Sequence, residues 1–546
     1  MALGYDSGGA AIQRHSYPYR RSPEQDANAP ARHPVVVVGA GPVGLSLAID
    51  LAQRFAASGR RVLLLDNDHK LSTGSRAICF AKRTLEIWDR LGVGPALCAK
   101  GVEWNVGKVF FQDELLYAFN LLAEPGHERP AFINLQQYYA EAYLAVRAAE
   151  LPNLEIRWHS SVLRCEQLED QVSLRIDTPQ GPYTLHADYV AACDGSRSPL
   201  RAMLGLESQG RIFRDRFLIA DVKMAADFPA ERWFWFDPPF HPKQSVLLHR
   251  QPDGVWRIDF QLGWDADPEA EKQPERITPR VNAMMKAALG REVPFELEWA
   301  SVYTFACQRM DRFVHGRVVF AGDSAHGVSP FGARGANSGV QDADNLAWKL
   351  DLLLRGQAPR ALLDSYGTER EYAADENILN STRATDFITP KSAISHLFRD
   401  AALDLARNHP FARRLVNSGR LSVPATLDTS PLNTPDRDTF AGDMRPGAPA
   451  VDARLDDGSW LLRRLHGHGF SALVFDGDAA AVSAAAEGLV DLQVVALPTK
   501  GAAAERYDAQ AGTVVLLRPD QHVCARWRHA SQDDVAKALQ RALAMR

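Results

Sequence analysis

Three short stretches of this 546-residue sequence combine glycine with an acidic residue in patterns suited to a charged, flat ligand. The first is Gly39-Ala-Gly41-Pro42-Val43-Gly44, with Asp66 and Asn67 downstream. Glycines at this spacing permit a sharp turn and let backbone amides approach a pyrophosphate, while the acid can hold a ribose hydroxyl. The second stretch is Asp194-Gly195-Ser-Arg197, and the third runs from Gly322-Asp323 through Pro330 to Arg334-Gly335-Ala336-Asn337. Glycines throughout the third keep side chains out of a ligand's way, and Asp323 stands where sugar hydroxyls could donate to it. The chemistry these residues suggest is dinucleotide binding. The six cysteines are scattered and form no CxxC pair, which speaks against a zinc site or a disulfide framework and suits a reducing, cytoplasmic setting.

Such residues need strands and helices to carry them. The apolar run 35–38 reads as a buried strand, 45–55 as a helix, and 61–65 as a second strand ending in Asp66, which completes a βαβ unit. Residues 189–193 and 317–321 read as further buried strands, ending in Asp194 and just before Gly322. An amphipathic helix with Leu346, Trp348 and Leu350 follows the third stretch. Arg76 and Arg83 lie in a loop entering a helix marked by Leu85, Trp88 and Leu91, and charge alone suits two solvated arginines. Gln137 and Glu141 fall at the entry to, and along one face of, another helix.

Residues 211–301 turn strand-like, with a hairpin closed at Pro252-Asp253-Gly254. Its register predicts Val246, Leu248, Trp256, Ile258 and Phe260 on one face and Leu247, His249, Arg257 and Asp259 on the other. The second face reads as a solvated outer surface, with His249 a candidate for substrate contact. The net charge of −5 leaves no basic face for nucleic acid, and no apolar run approaches a membrane span. Residues 1–33, rich in Gly, Ser, Pro and Arg, read as a mobile tail, and residues 421–450 as a linker.

Taken in order, GAGPVG at Gly39, ACDGSRSPLR around Asp194 and VVFAGDSAHGVSPFGARGANSG around Asp323 resemble the single-component (class A) FAD-dependent aromatic hydroxylases. The nearest branch is that of phenol hydroxylase and 3-(3-hydroxyphenyl)propionate hydroxylase, and the resemblance covers residues 34–370. It implies an α/β fold: a Rossmann-type FAD-binding domain, an inserted mixed β-sheet substrate domain of the p-hydroxybenzoate hydroxylase kind, and a thioredoxin-like C-terminal domain without CxxC. The expected boundaries are 34–208 and 301–435 for the FAD-binding parts, 209–300 for the substrate sheet and 436–546 for the last domain.

The resemblance further implies hydroxylation of a phenolic or other aromatic substrate by O₂ and NADH or NADPH through a flavin C4a-hydroperoxide, in a homodimer. Gly39, Gly41, Pro42, Val43 and Gly44 would face the FAD pyrophosphate, and Asp66 with Asn67 the adenosine ribose. Arg76 and Gln137 match flavin-contacting positions of the family, which replaces the solvated reading of Arg76. Asp194 and Gly195 would serve both nucleotides, Gly322 and Asp323 the ribityl chain, and Pro330, Gly335, Ala336 and Asn337 the isoalloxazine. Arg334, matching a lysine beside the flavin, is the expected catalytic charge, with Pro330 and His249 as further catalytic candidates. His241, Tyr303 and His326 are weaker candidates for a phenol-activating base, His326 more as support for its loop. Two alternatives are a flavin-dependent dehydrogenase or reductase and, from Trp233-Phe-Trp235, a flavin-dependent halogenase.

Overall fold

The computed structural model describes residues 3–74, 76–416 and 421–545. The valine run lies in the strand Ala31–Val38, whose last four residues are buried, as a continuous apolar run covered on both faces requires. This strand pairs in parallel with Val62–Leu65 on one side and Tyr183–Ala192 on the other. Tyr183–Ala192 in turn pairs in parallel with Val318–Phe320. The strands that lead into the glycine and acid motifs therefore stand side by side, and parallel pairing delivers their C-terminal ends to one edge. Leu154–Arg157, the edge strand Val314–His315 beside Val318–Phe320 and an antiparallel pair behind Tyr183–Ala192 complete eight strands among the described residues.

Helices Pro42–Phe55, Gln137–Ala149 and Gly335–Leu354 pack on this sheet in one continuous core. Pro42 opens the first of them, where its fixed φ suits a helix and its missing N–H is no loss. Among the described residues, no helix is long and apolar enough to cross a membrane.

A second sheet of seven strands runs in the order Phe295–Tyr303, Arg216–Met224, Val255–Leu262, Ser245–Arg250, Arg232–Phe236, Val106–Phe111, Glu114–Asn120. The hairpin obeys the predicted alternation: Val246, Leu248, Trp256, Ile258 and Phe260 share one core with Ile277, Val281, Met284 and Met285. Those four belong to helix Pro274–Leu289, which covers that face and which the strand-like reading of the region missed. The opposite face is not the solvated surface expected from sequence. Leu247, His249 and Arg257 are 1–2% exposed, because this face turns inward onto the loops of the first sheet.

The third sheet has the order Leu492–Leu497, Phe470–Phe475, Val514–Leu517, Val523–Trp527, its first pair parallel and the others antiparallel. Helix Gln532–Ala542 follows, started by a capping box between Ser531 and Asp534. The described part of the 421–450 segment holds no helix or named strand, yet Leu427 and Leu432 are buried in it.

Residues 3–33 also depart from expectation. Far from forming a mobile tail, they pack on the first sheet: helix Gly9–Arg14 buries Ile12, and Tyr17 stacks on Trp158 with ring centroids 4.2 Å apart. These contacts join distant parts of the chain, so the segment's polar composition gave no sign of them.

Candidate active site

Each glycine of the first motif has a separate steric reason. Gly39 has φ +106°, and a Cβ there would meet the Cys193 carbonyl at 2.3 Å. A Cβ on Gly44 would meet the Gly39 carbonyl at 1.9 Å. These two let the turn close against its own helix and against the end of Tyr183–Ala192. Gly41 differs: among the described residues nothing lies within 4 Å of a Cβ placed there, so the backbone at the helix N-terminus borders open space. Asp66 closes the other side, accepting from the backbone N–H of Ala40 at 2.5 Å and of Asp68 at 2.8 Å. Burial pushes its carboxyl up, against the pull of those two amides. Asn67 is exposed beside it.

The other two motifs converge on the same place. The second meets the first turn through Cys193, beside Gly39 and Gly44, and the third meets it through Val43, since a Cβ on Gly322 or on Gly339 would run into the Val43 side chain at 2.9 and 2.6 Å. Asp342 holds the Gly322 turn from below, accepting from the Gly322 N–H at 2.9 Å, pairing with His326 at 2.7 Å and with Arg370 at 2.6 Å. Burial alone would raise the Asp342 carboxyl, but His326 and Arg370 hold it below its ordinary value. His326 thus supports its loop, as expected, and Asp342 is a residue sequence reasoning missed. Nothing in VQDADN marks that aspartate as the keystone, because its partners come from two other segments.

Asp323 is solvent-accessible, yet desolvation raises its carboxyl, with His326 and Arg76 partly offsetting the rise. An accessible but desolvated carboxylate stands on the wall of a cleft rather than on an open surface. Asp194 accepts from the Leu200 N–H at 3.0 Å through Oδ2, while its buried Oδ1 has no hydrogen-bond partner among the described residues. Gly195, at φ +79°, has open space beside it.

Gln137 acts on the loop that carries Arg76. Its Oε1 accepts from the Ala77 N–H at 2.9 Å and its Nε2 donates to Glu141 at 2.7 Å, while Glu141 takes the Ser72 N–H and hydroxyl. The Arg76 side chain is exposed, and its carbonyl accepts from Arg257 at 3.0 Å. Arg83 belongs elsewhere: it donates to the Asp520 carbonyl at 2.5 Å in the third sheet's turn, so it is neither solvated nor near the cleft. Asn337 has its whole amide engaged, accepting from Ala81 and Thr84 and donating to the Cys79 and Ala333 carbonyls. Only its backbone, with those of Gly335 and Ala336 in the first turn of Gly335–Leu354, is left to face a ligand.

The inward face of the second sheet packs against these loops. Phe331, in the turn Pro330–Gly332, packs on Phe217 with centroids 4.6 Å apart and on Phe305 at 5.3 Å. Pro330 itself is exposed. Arg334 caps the following helix, is 5% exposed, and donates to Asn377 at 3.1 Å. His249 lies 3.2 Å from Asp259 through Nε2 and 4.0 Å from the Cys79 thiol through Nδ1. Burial, together with Arg232 next to it, lowers the His249 pKa to about 4, so its ring is neutral near pH 7. Tyr303 is raised far above its ordinary value by burial and by Asp259, and His241 is engaged at 2.7 Å by the Gln261 carbonyl. Asp259 shares this face as the hairpin register predicts, and Arg232 and Asp221, which were not singled out from sequence, share it too.

A family model described as an FAD binding domain matches residues 32–381. The chain belongs to this FAD binding domain family. A flavin-dependent monooxygenase of Mycobacteroides abscessus is 30% identical over 502 residues, 90% of this chain and 96% of that protein. A 6-methylpretetramide 4-monooxygenase of Streptomyces rimosus is 30% identical over 544 residues, 93% of each chain. Among solved structures, the flavin-dependent monooxygenase PieE, in complex with FAD and substrate, superposes with a TM-score of 0.79 over 95% of this chain and all of that one, at 23% identity. The p-nitrophenol 4-monooxygenase PnpA of Pseudomonas putida superposes at 0.62 over 72% of this chain and 99% of its own, at 26% identity. The chain is an FAD-dependent aromatic monooxygenase, and these matches give the dehydrogenase and halogenase readings no support.

Proposed function

We propose that this monooxygenase hydroxylates a small aromatic substrate in the cleft between the parallel-strand edge and the inward face of the seven-stranded sheet, using O₂ and NADH or NADPH. The observation that carries this reading is the cradle at Gly41. Open backbone at a helix N-terminus, a partnerless Asp194 oxygen and the accessible Asp323 carboxylate all border one cleft, and this donor and acceptor set fits FAD. Bound FAD supplies acceptance of a hydride and activation of O₂, chemistry that no side chain offers.

In this reading Gly39, Gly41, Pro42, Val43 and Gly44 seat the pyrophosphate, and Asp66 and Asn67 take the adenosine ribose. Each Asp66 oxygen keeps a lone pair after its backbone bond. Asp323 and Gly322 hold the ribityl hydroxyls, with Asp194 and Gly195 beside them. Gln137 acts indirectly by fixing the loop of Arg76. Pro330 and the amides of Gly335, Ala336 and Asn337 border the ring system. Arg334 adds its charge to the positive end of helix Gly335–Leu354, and together they favour negative charge on a group seated there. Phe217, Phe305 and Phe331 exclude water. With Nε2 donating to Asp259 and the Cys79 thiol donating to Asn134 at 3.2 Å, His249 Nδ1, 4.0 Å from that sulfur, is the ring atom that would accept a hydrogen bond from a substrate hydroxyl.

The rest of the reading is coarser. The sheet order of the last 77 or so residues, a parallel pair followed by an antiparallel pair and a helix, supports a thioredoxin-like domain within 436–546. The free cysteines suit a cytoplasmic enzyme. Assembly as a homodimer is supported by Ile394, Leu397 and Phe398, which helix Ala393–Asn408 leaves 58–79% exposed.

The test is to purify the protein with its flavin and screen phenols for faster flavin bleaching by NADH and NADPH. One O₂ and one reduced nicotinamide consumed per hydroxylated product is the expected result. Turnover without O₂, using an artificial acceptor, would overturn it.

A further inference from the structure

The loop that leaves strand Val62–Leu65 starts with Asp66 and Asn67, runs to Gly74 and leads on to Arg76, so it reaches both ends of the FAD site. Residues 66–74 hold no helix or strand, and Asn67, Asp68, His69 and Thr73 are exposed. From within, Leu71 is buried in the first core and Glu141 holds Ser72. The amides of Ser160 and His159 donate to the Asp66 and Asp68 carbonyls at 2.7 and 3.0 Å. A surface loop with so much solvated backbone opens locally at little cost unless something packs down on it from outside.

That outer hold comes from the N-terminal segment. The Tyr17 N–H donates to the His69 carbonyl at 2.7 Å, the Tyr17 carbonyl accepts from His159 Nε2 at 3.2 Å, and the Tyr17 ring stacks on Trp158. His159 has φ +53°, a left-handed conformation uncommon in a residue with a side chain, and its ring stacks on His69 with centroids 5.2 Å apart. Tyr17 is thereby fastened both to the loop and to the strained residue that supports it. Nearer the chain start, Gln13 Oε1 accepts from the Gly74 N–H at 3.5 Å, and its neighbour Ile12 is buried in the first core. Gly74 is wedged at that point, since a Cβ there would meet Trp299 Nε1 at 2.4 Å. Further along, Glu24 pairs with His33 at 3.1 Å and with Arg157 at 2.8 Å, which ties the segment to the sheet.

We propose that the N-terminal segment is a strap that keeps residues 66–74 in their FAD-binding arrangement, with Tyr17 and Gln13 as positioning residues that set how long the cofactor stays bound. This rests on the FAD reading of Asp66 and Arg76 above. Both residues act through the loop backbone rather than on the cofactor. Without the strap the loop would spend more time open, and the open fraction multiplies directly into the rate of FAD release.

The experiment uses the full-length enzyme loaded with FAD and its Tyr17→Ala, Tyr17→Phe and Gln13→Ala variants. Leu473→Ala, a core change in the third sheet, controls for lost stability alone. FAD release is followed by the recovery of flavin fluorescence on dilution, and FAD affinity by titrating the flavin-free protein. Hydrogen exchange of the amides of residues 67–74 in the flavin-free protein reports loop opening. Tyr17→Ala should release FAD about 10-fold faster or more and speed exchange across the loop, while excess FAD returns kcat to the wild-type value. Gln13→Ala should do the same more weakly. Tyr17→Phe keeps the ring and the backbone and should restore slow release. Leu473→Ala should melt lower yet hold FAD as the wild type does.

Wild-type FAD release and loop exchange in both Tyr17→Ala and Gln13→Ala would overturn the proposal. So would release from Leu473→Ala as fast as from Tyr17→Ala, since lost stability would then explain both. If Tyr17→Ala does not fold, Gln13→Ala decides by the same two measurements. Failure of the FAD reading looks different: the wild type itself takes up no FAD. In that event loop exchange still reports whether the strap holds residues 66–74.

Discussion

Arg334 and His249 are both buried but stand in different electrostatic settings. Arg334 stands beside the first turn of a long helix, with Asn377 as a hydrogen-bond partner. Replacing it by methionine should slow flavin reduction about tenfold or more, or divert reduced nicotinamide into hydrogen peroxide. Stopped-flow bleaching and peroxide release measure both, and unchanged coupling would remove Arg334 from the chemistry. His249 is neutral in the fold, its pKa lowered from 6.5 to about 4, with burial the largest cause. As pH falls through 6.5 the unfolded chain gains a proton that the native ring refuses, so stability declines until about pH 4. His249→Gln should therefore flatten the acid side of a plot of melting temperature against pH. A variant with the wild-type slope would show that the ring is not held neutral.

At the scale of single elements, the glycine turn separates packing from binding. Gly44→Ala must displace the Gly39 carbonyl, 1.9 Å from the new Cβ, and should destabilise the protein by about 1–3 kcal/mol in urea unfolding. Gly41→Val fills open space instead. It should leave the flavin-free melting temperature nearly unchanged while the purified protein loses its yellow colour. Loss of stability in both variants alike would mean that the Gly41 space is structural rather than a ligand cradle. The inward face of the seven-stranded sheet follows the same logic: pairing register lines up its polar side chains, while the loop from Ser72 to Ala77 and the Pro330 turn bury them.

Across the whole molecule, a buried ionic cluster ties the third sheet to the helix that starts at the cleft. Glu369 meets Lys349 at 2.7 Å and Arg518 at 2.5 Å, Arg518 also holds Asp520, and Asn345 bridges Glu369 and Asp520. Lys349 and Asn345 lie on helix Gly335–Leu354, whose first turn borders the cleft. Burial works against the Glu369 charge, but Arg518 and Lys349 hold its carboxyl far below the ordinary range, and Arg90 pairs with Asp344 nearby. Arg518→Met would leave two buried carboxylates short of a counter-charge and should cost about 3–5 kcal/mol. Chemical unfolding would measure this, and limited proteolysis should cut the C-terminal part first. A melting temperature equal to the wild type would show that the domain contact lies elsewhere.

Local pattern determined a good deal. The glycine spacing, the apolar strands before each acid and the two-residue alternation of the hairpin are properties of neighbouring residues, and each appears in the fold at its expected place. Matching the order of those motifs to a known family was enough to reach a flavin monooxygenase. Tertiary structure decided what depends on distant partners. Val43 joins the first motif to the third, Asp342 holds a turn from the next helix, Arg83 reaches across to Asp520, and the N-terminal segment folds down onto Trp158. It also buried the face carrying His249, with Arg232 over the Phe234 ring. A strand's alternation says which residues share a face, but only packing says whether that face meets water or a ligand, because burial is a property of everything that lies opposite.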